Sequence, residues 1–262
     1  MYWFFYELPT WIAMPTFMLV FLGLSWLILL GVRPFVTRAA ASNPDWDRVL
    51  GYAMSSFGLF YGILLALIAV SVYENFQRVN GISLDEVSTI ATLYRNFDAY
   101  PGAVGTDLQT RLQEFTLAVV TVDWPLQEAG VKPIAGDAAV DAMQATLFAF
   151  EPSGISESTV HNQTLALFDR FVDVRRDRID ETELALPGLL WAVVGVGAFL
   201  NALMIGLVES RSRRIHLIMS GIIALFVAML IFTTATIDHP YAGAVSVTSE
   251  PYLDLYEDVL TK

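Results

Sequence analysis

Cysteine is absent from this chain of 262 residues, which excludes disulfides and thiolate metal sites and leaves the redox compartment unmarked. Histidine is scarce: His161, His216 and His239 stand far from one another in the sequence. No HExxH, phosphate loop, nucleophile elbow or dinucleotide fingerprint occurs, so the chain offers no catalytic cluster and no cofactor motif, and it reads as a non-enzyme. Positive charge is short as well, with 15 Lys and Arg against 27 Asp and Glu and a net charge of −12. Nucleic acid is therefore no partner, because its phosphates need a basic surface.

Charge of either sign is missing from four long stretches: Trp11–Val32, Val49–Tyr73, Leu184–Val208 and Ile215–Ile237. A helix crossing ~30 Å of hydrocarbon needs about 20 apolar residues. Soluble helices of that length carry a polar face, and these do not. Four transmembrane helices follow, with the lipid bilayer as partner. The first is not a cleaved signal, since Glu7 is the only charge before it and its apolar run is too long. Trp3, Phe4, Phe5, Tyr6 and Trp11 fit an interfacial aromatic belt.

Short links, Arg33–Arg48 and Glu209–Arg214, pair the spans into two hairpins. The expected fold is thus an all-α membrane protein: an N-terminal hairpin (1–73), a helical extramembrane domain (74–183), a C-terminal hairpin (184–237) and a tail (238–262). Each link holds three arginines: Arg33, Arg38 and Arg48, then Arg211, Arg213 and Arg214. The segment before the first span has no Lys or Arg, and the tail has only Lys262. Arginine-rich short links stay in the cytoplasm. In a bacterial inner (plasma) membrane this puts both termini and the central domain outside the cytoplasm.

The central segment has 18 acidic and 8 basic side chains. Val87, Ile90, Ala91, Tyr94 and Phe97 recur at helical spacing, so the second span is expected to run on as one long helix until Pro101-Gly102. A helix capped by Asp107 and closed by Trp124-Pro125 should follow, then Asp137–Phe150, then Ser158–Glu183 leading into the third span at Pro187. Asp85 and Glu86 are adjacent, hence on different sides of a helix, and are expected on a solvated face. Arg175, Arg176, Asp177 and Arg178 suit either an anion or internal salt bridges, the latter being simpler. His239 beside Asp238 is either a pH-sensitive gate or a cap.

Small residues line two spans. Gly58 and Gly62 lie on the second with Gly51, Ser55, Ala66 and Ala69; Ala198 and Ala202 lie on the third with Gly195 and Gly206. Small stripes let helices approach closely in lipid and favour self-association. That leaves the bulky side of the second span, Phe60, Leu64 and Ile68, free to face a central axis. Rings of such side chains close pores by dewetting. Ser71, Glu74 and Asn75 would form the vestibule beyond. The acidic domain would concentrate cations, so inorganic ions are the expected cargo, with cations favoured. The rival reading is a non-conducting scaffold or sensor whose acidic domain binds a partner.

Glu86, Leu93-Tyr94-Arg95, Asp123-Trp124-Pro125, Arg175, Arg178, Pro187, Trp191 and Asp238-His239-Pro240-Tyr241 with Gly243 follow one another in a recognisable order. In this order the sequence resembles the bestrophin-like family of bacterial membrane proteins. That family shows alanine after the glutamate, glutamate before Trp-Pro and phenylalanine before the glycine motif; here stand Val87, Asp123 and Tyr241. The resemblance implies a homo-oligomer, by analogy a pentamer, in which two hairpins flank a helical domain and the second helix lines a hydrophobic neck. Bestrophins keep that domain in the cytosol, opposite to the arginine count.

Overall fold

A computed structural model describes residues 6, 8–210 and 212–260. Trp3, Phe4, Phe5, Glu7, Arg211 and Lys262, used above, lie outside the described residues. All regular elements among the described residues are helical. They fall in two compact units. One contains the chain up to Glu74 together with Ala185–Asp238; the other contains Asn75–Leu184 and the chain from His239 onward.

The first unit holds the four apolar helices: α1 (Thr10–Ser42), the first half of α2 (Trp46–Phe97), α7 (Gly188–Gly206) and α8 (Arg213–Ile237). Each is long and apolar enough to cross a membrane. Their outward side chains are large and apolar: Trp11, Leu19, Leu27, Leu189 and Phe226 are all more than half exposed, as a lipid-facing surface requires. Lipid supplies little hydrophobic drive between helices, so contact depends on close packing. A Cβ at Gly197 would collide with the Tyr61 ring, and one at Gly206 would press on the Leu29 backbone. The Tyr61 hydroxyl then donates to Val194 O at 3.1 Å. Indole N–H groups pin other crossings: Trp26 Nε1 donates to Leu217 O and Trp46 Nε1 to Leu207 O, both at 3.1 Å.

The second unit contains the rest of α2, then α3 (Ala103–Ala118), α4 (Trp124–Glu128), α5 (Asp137–Ala149), α6 (Ile155–Asp180) and α9 (Glu250–Leu255). As expected, α2 is one helix of 52 residues, and Gly81 does not break it. Three expectations need correction. The second helix starts at Ala103, behind Gly102 at φ +54°, so Asp107 lies inside it and pairs with Arg111 at 2.8 Å instead of capping. Trp124-Pro125 does not end that helix: a π-turn, Val119–Asp123, joins α3 to α4. Proline has no N–H and its ring crowds the carbonyl four residues back, so the chain widens by one residue there rather than stopping. The Trp124 N–H accordingly donates to Val119 O, five residues back. Finally, α6 begins at Ile155, and a 3-10 turn (Glu181–Glu183) with an extended segment separates it from the third span.

An aromatic and aliphatic core that includes Phe97, Leu108, Phe115, Trp124, Phe168, Phe171 and Tyr252 fills this unit. The stretch from His239 belongs to it. Gly243 turns the chain at φ +90°, a conformation that strains any residue with a Cβ, and Val247 N then donates to Pro240 O at 2.8 Å.

Candidate functional site

Two places carry the residues that the sequence singled out. The first is α2 within the apolar unit. Tyr61, Ile68 and Val72 turn inward against Val194, Ala198, Val227 and Ile231. Of the three residues expected to face an axis, Phe60 is 70% exposed, Leu64 is half-buried and Ile68 is only 6% exposed. The cause is geometric. Eight residues overshoot two helical turns by about 80°, which carries Ile68 into its own bundle, whereas seven residues fall short by only about 20°. The open strip is therefore Phe60, Ile63, Leu67 and Val70. It continues to Ser71 and Glu74, both exposed, while Asn75 is half-buried and accepts from Arg78 at 3.2 Å.

The small residues divide in the same way. Ala198 and Ala202 are buried inside the bundle. Gly58 and Gly62 are exposed, and a Cβ on either would meet nothing within 4 Å. Among the described residues of one chain, Gly58 and Gly62 thus have no partner helix. The junction after the fourth span is fixed by Asp238, whose carboxylate accepts from Leu186 N at 2.8 Å and Trp191 Nε1 at 2.9 Å. Asp238 so ties the end of α8 to the start of α7.

The second place is the centre of the helical unit. Glu86 on α2, Asp123 in the π-turn and Arg178 on α6 are all 0% exposed. This overturns the solvated face expected for Glu86; its neighbour Asp85 does sit outside, paired with Arg170 at 2.8 Å. Arg178 Nε donates to Glu86 Oε2 at 2.6 Å, and the Tyr252 hydroxyl donates to the same oxygen at 2.8 Å. Arg178 also donates to Gln127 Oε1, and its Nη2 lies 3.6 Å from Asp123 Oδ2. The backbone is held too: Gln127 Nε2 and the Tyr241 hydroxyl both donate to Arg178 O, at 3.2 and 3.1 Å. Arg175, one turn earlier, pairs with Asp137. Arg175 and Arg178 thus form internal salt bridges, while Arg176 between them is exposed.

Two carboxylates share one buried guanidinium here. Burial disfavours the Arg178 charge, but Glu86 together with Tyr252 and Tyr241 outweighs it and the pKa rises. Burial also raises the Asp123 pKa, and Arg178 and Arg175 only partly offset it. The Ala135 amide lowers it slightly without forming a hydrogen bond of good geometry. Burial, and then the Glu86 charge, push the Tyr252 phenol well up. Glu86 Oε1, Arg178 Nη2 and Trp124 Nε1 remain buried without hydrogen bonds among the described residues.

Glu86, Asp123, Trp124, Arg178 and Tyr241, scattered over the sequence motifs, are therefore neighbours. Arg95 and Pro125 are exposed, while Tyr94 reaches away to donate to Leu260 O at 3.0 Å. Gln127 and Tyr252 are the partners that sequence reading missed; a lone glutamine and a tyrosine in an irregular tail carry no pattern that marks them.

A family model for the bestrophin-like domain matches residues 19–252, which takes in both places and ends on Tyr252. The chain belongs to the bestrophin-like family. No curated protein matches it. Crystal structures of two point variants of a bacterial bestrophin homologue from Klebsiella pneumoniae are similar to this bestrophin-like protein, with TM-scores of 0.65 and 0.67. Each is 12% identical and the matches cover 94% of this chain and 97% of the homologue. A further membrane-protein crystal structure matches at TM-score 0.65 and 12% identity, over 93% and 95% of the two chains. The shared fold is thus retained with few shared side chains.

Proposed function

We propose that this bestrophin-like protein is one subunit of a homo-oligomeric ion channel, by analogy a pentamer, in the bacterial inner membrane, with α2 lining the pore. The observation that carries the reading is the division of α2 into three faces. Tyr61, Ile68 and Val72 pack into the chain's own bundle. Gly58 and Gly62 form an open small face suited to a neighbouring helix. Phe60, Ile63 and Leu67 form an open bulky face suited to a hydrophobic neck that gates by dewetting. Leu64 flanks this neck, and Leu67 takes the place that helical spacing alone gave to Ile68.

Beyond the neck, Ser71, Glu74 and Asn75 make the vestibule. The excess of 18 acids over 8 bases in residues 74–183 supports a preference for cations. Arg78, near the vestibule, is engaged by Asn75 and by Glu181 at 3.5 Å.

The test is current through the purified protein in planar bilayers. Phe60→Ala/Leu67→Ala should raise the open probability, because smaller rings stay wet. Under a salt gradient the reversal potential should lie toward the cation equilibrium value. Absence of current under every ionic and pH condition would overturn the channel reading in favour of a scaffold, and unchanged currents in the double variant would remove the neck.

A further inference from the structure

We infer that the linked ends of the two hairpins hold a binding site for a phosphate group, built around Arg33 and supplied by a membrane lipid headgroup. Arg33 lies 22 positions after Trp11 on α1, roughly 33 Å of helix, which puts it at the opposite edge of the hydrocarbon. That edge is where lipid phosphates lie. The Arg33 side chain is partly buried, and its Nη1 is sealed from solvent without a hydrogen-bond partner among the described residues. A guanidinium N–H in that position is unfavourable unless an acceptor arrives.

Arg33 lines a cavity of about 30 Å³, together with Thr37, Glu209, Ser210 and His216 over a floor that includes Leu29. That volume admits one or two atoms the size of a water oxygen, so a phosphate can insert an oxygen while its ester chain remains at the open rim. His216 is fixed by the bond between its Nε2 and Ile205 O at 3.0 Å. The Thr37 and Ser210 hydroxyls donate to Pro34 O and Ser212 O, both at 3.2 Å, and either can rotate to a ligand. Glu209 is exposed and does not satisfy Nη1.

Phosphate suits this site better than carboxylate on grounds of place. The guanidinium fork matches phosphate oxygens, and the second link adds Arg213 and Arg214, which draw anionic headgroups. Free inorganic phosphate has the same chemistry, so the two sources need separating.

The experiment uses the full chain in detergent, titrated with dioleoyl-phosphatidylglycerol and read by native mass spectrometry. One lipid per chain should bind saturably. Arg33→Gln should weaken it about fivefold, the weight of one basic side chain at a charged membrane surface. Arg38→Gln, exposed on the same helix outside the cavity, should leave it within about twofold. If Arg33→Gln does not fold, Arg33→Lys keeps the charge but loses the fork, and it must weaken binding more than Arg38→Lys does. Competition by millimolar inorganic phosphate, dependent on Arg33, would support the phosphate site but overturn its assignment to lipid. Equal losses at positions 33 and 38, or no saturable binding of either ligand, would overturn the site.

Discussion

Glu86 Oε2 and Arg178 Nε meet at 2.6 Å although 92 positions separate them in the chain, and neither side chain is reached by solvent. Breaking such a pair strands a buried charge, which costs about 3–5 kcal/mol. Arg178→Met should therefore destabilise the protein by that amount in denaturant unfolding. Glu86→Met/Asp123→Asn/Arg178→Met together should cost much less, since no buried charge is then orphaned. A triple variant as unstable as Arg178→Met alone would mean that the surrounding hydrogen bonds, not the charges, hold this centre.

Asp123 gives a pH dependence of definite sign. Its folded pKa is raised by burial, so the folded state holds a proton that the unfolded chain loses above about pH 4. The contribution to stability is present below that pH and is lost as pH rises through the folded pKa. Asp123→Asn should flatten this slope and be no less stable than the parent at neutral pH. The check is the thermal midpoint across pH 4–8 for both proteins.

The two sets of small residues should respond differently to bulk. Gly62→Leu meets open space within the chain, so the subunit should fold while the oligomer mass falls. Ala202→Leu forces a side chain into a closed bundle and should lower thermal stability, in the range of 1–3 kcal/mol for overpacking. An unchanged oligomer in Gly62→Leu would remove the α2 glycines from the interface.

Because these 262 residues include no cysteine, single introduced thiols report topology cleanly. With the arginine links in the cytoplasm, Ser42→Cys should be shielded from an impermeant thiol reagent in intact cells and Ser153→Cys should react. The reverse pattern would place the helical domain in the cytosol.

The spans, the long α2 and most of the helices were legible because apolar length and helical period are local signals. The position of Ile68 was not, because the difference between seven and eight residues on a helix matters only once neighbouring helices fix which face is inward. Glu86 was misread for a related reason. A charge looks solvated until Arg178, from the other end of the domain, arrives to meet it. Tyr252 and Gln127 gave no signal at all, since their roles consist of distances between remote segments.

The π-turn at Val119–Asp123 bears on insertions and deletions. It accommodates one residue more than an α-helix would, so removing Thr121 would shorten α3–α4 to a regular helical register without opening a gap in the backbone. The flanks would keep their facing, because the wide turn spreads one extra residue over about the rotation of an α-helical turn. Asp123, Trp124 and Gln127 all follow Thr121 and would keep their frame with one another. The deletion would instead return Pro125 to the interior of a regular helix, where its ring meets the carbonyl four residues back. The extra residue is thus room made for a proline inside a continuous helix.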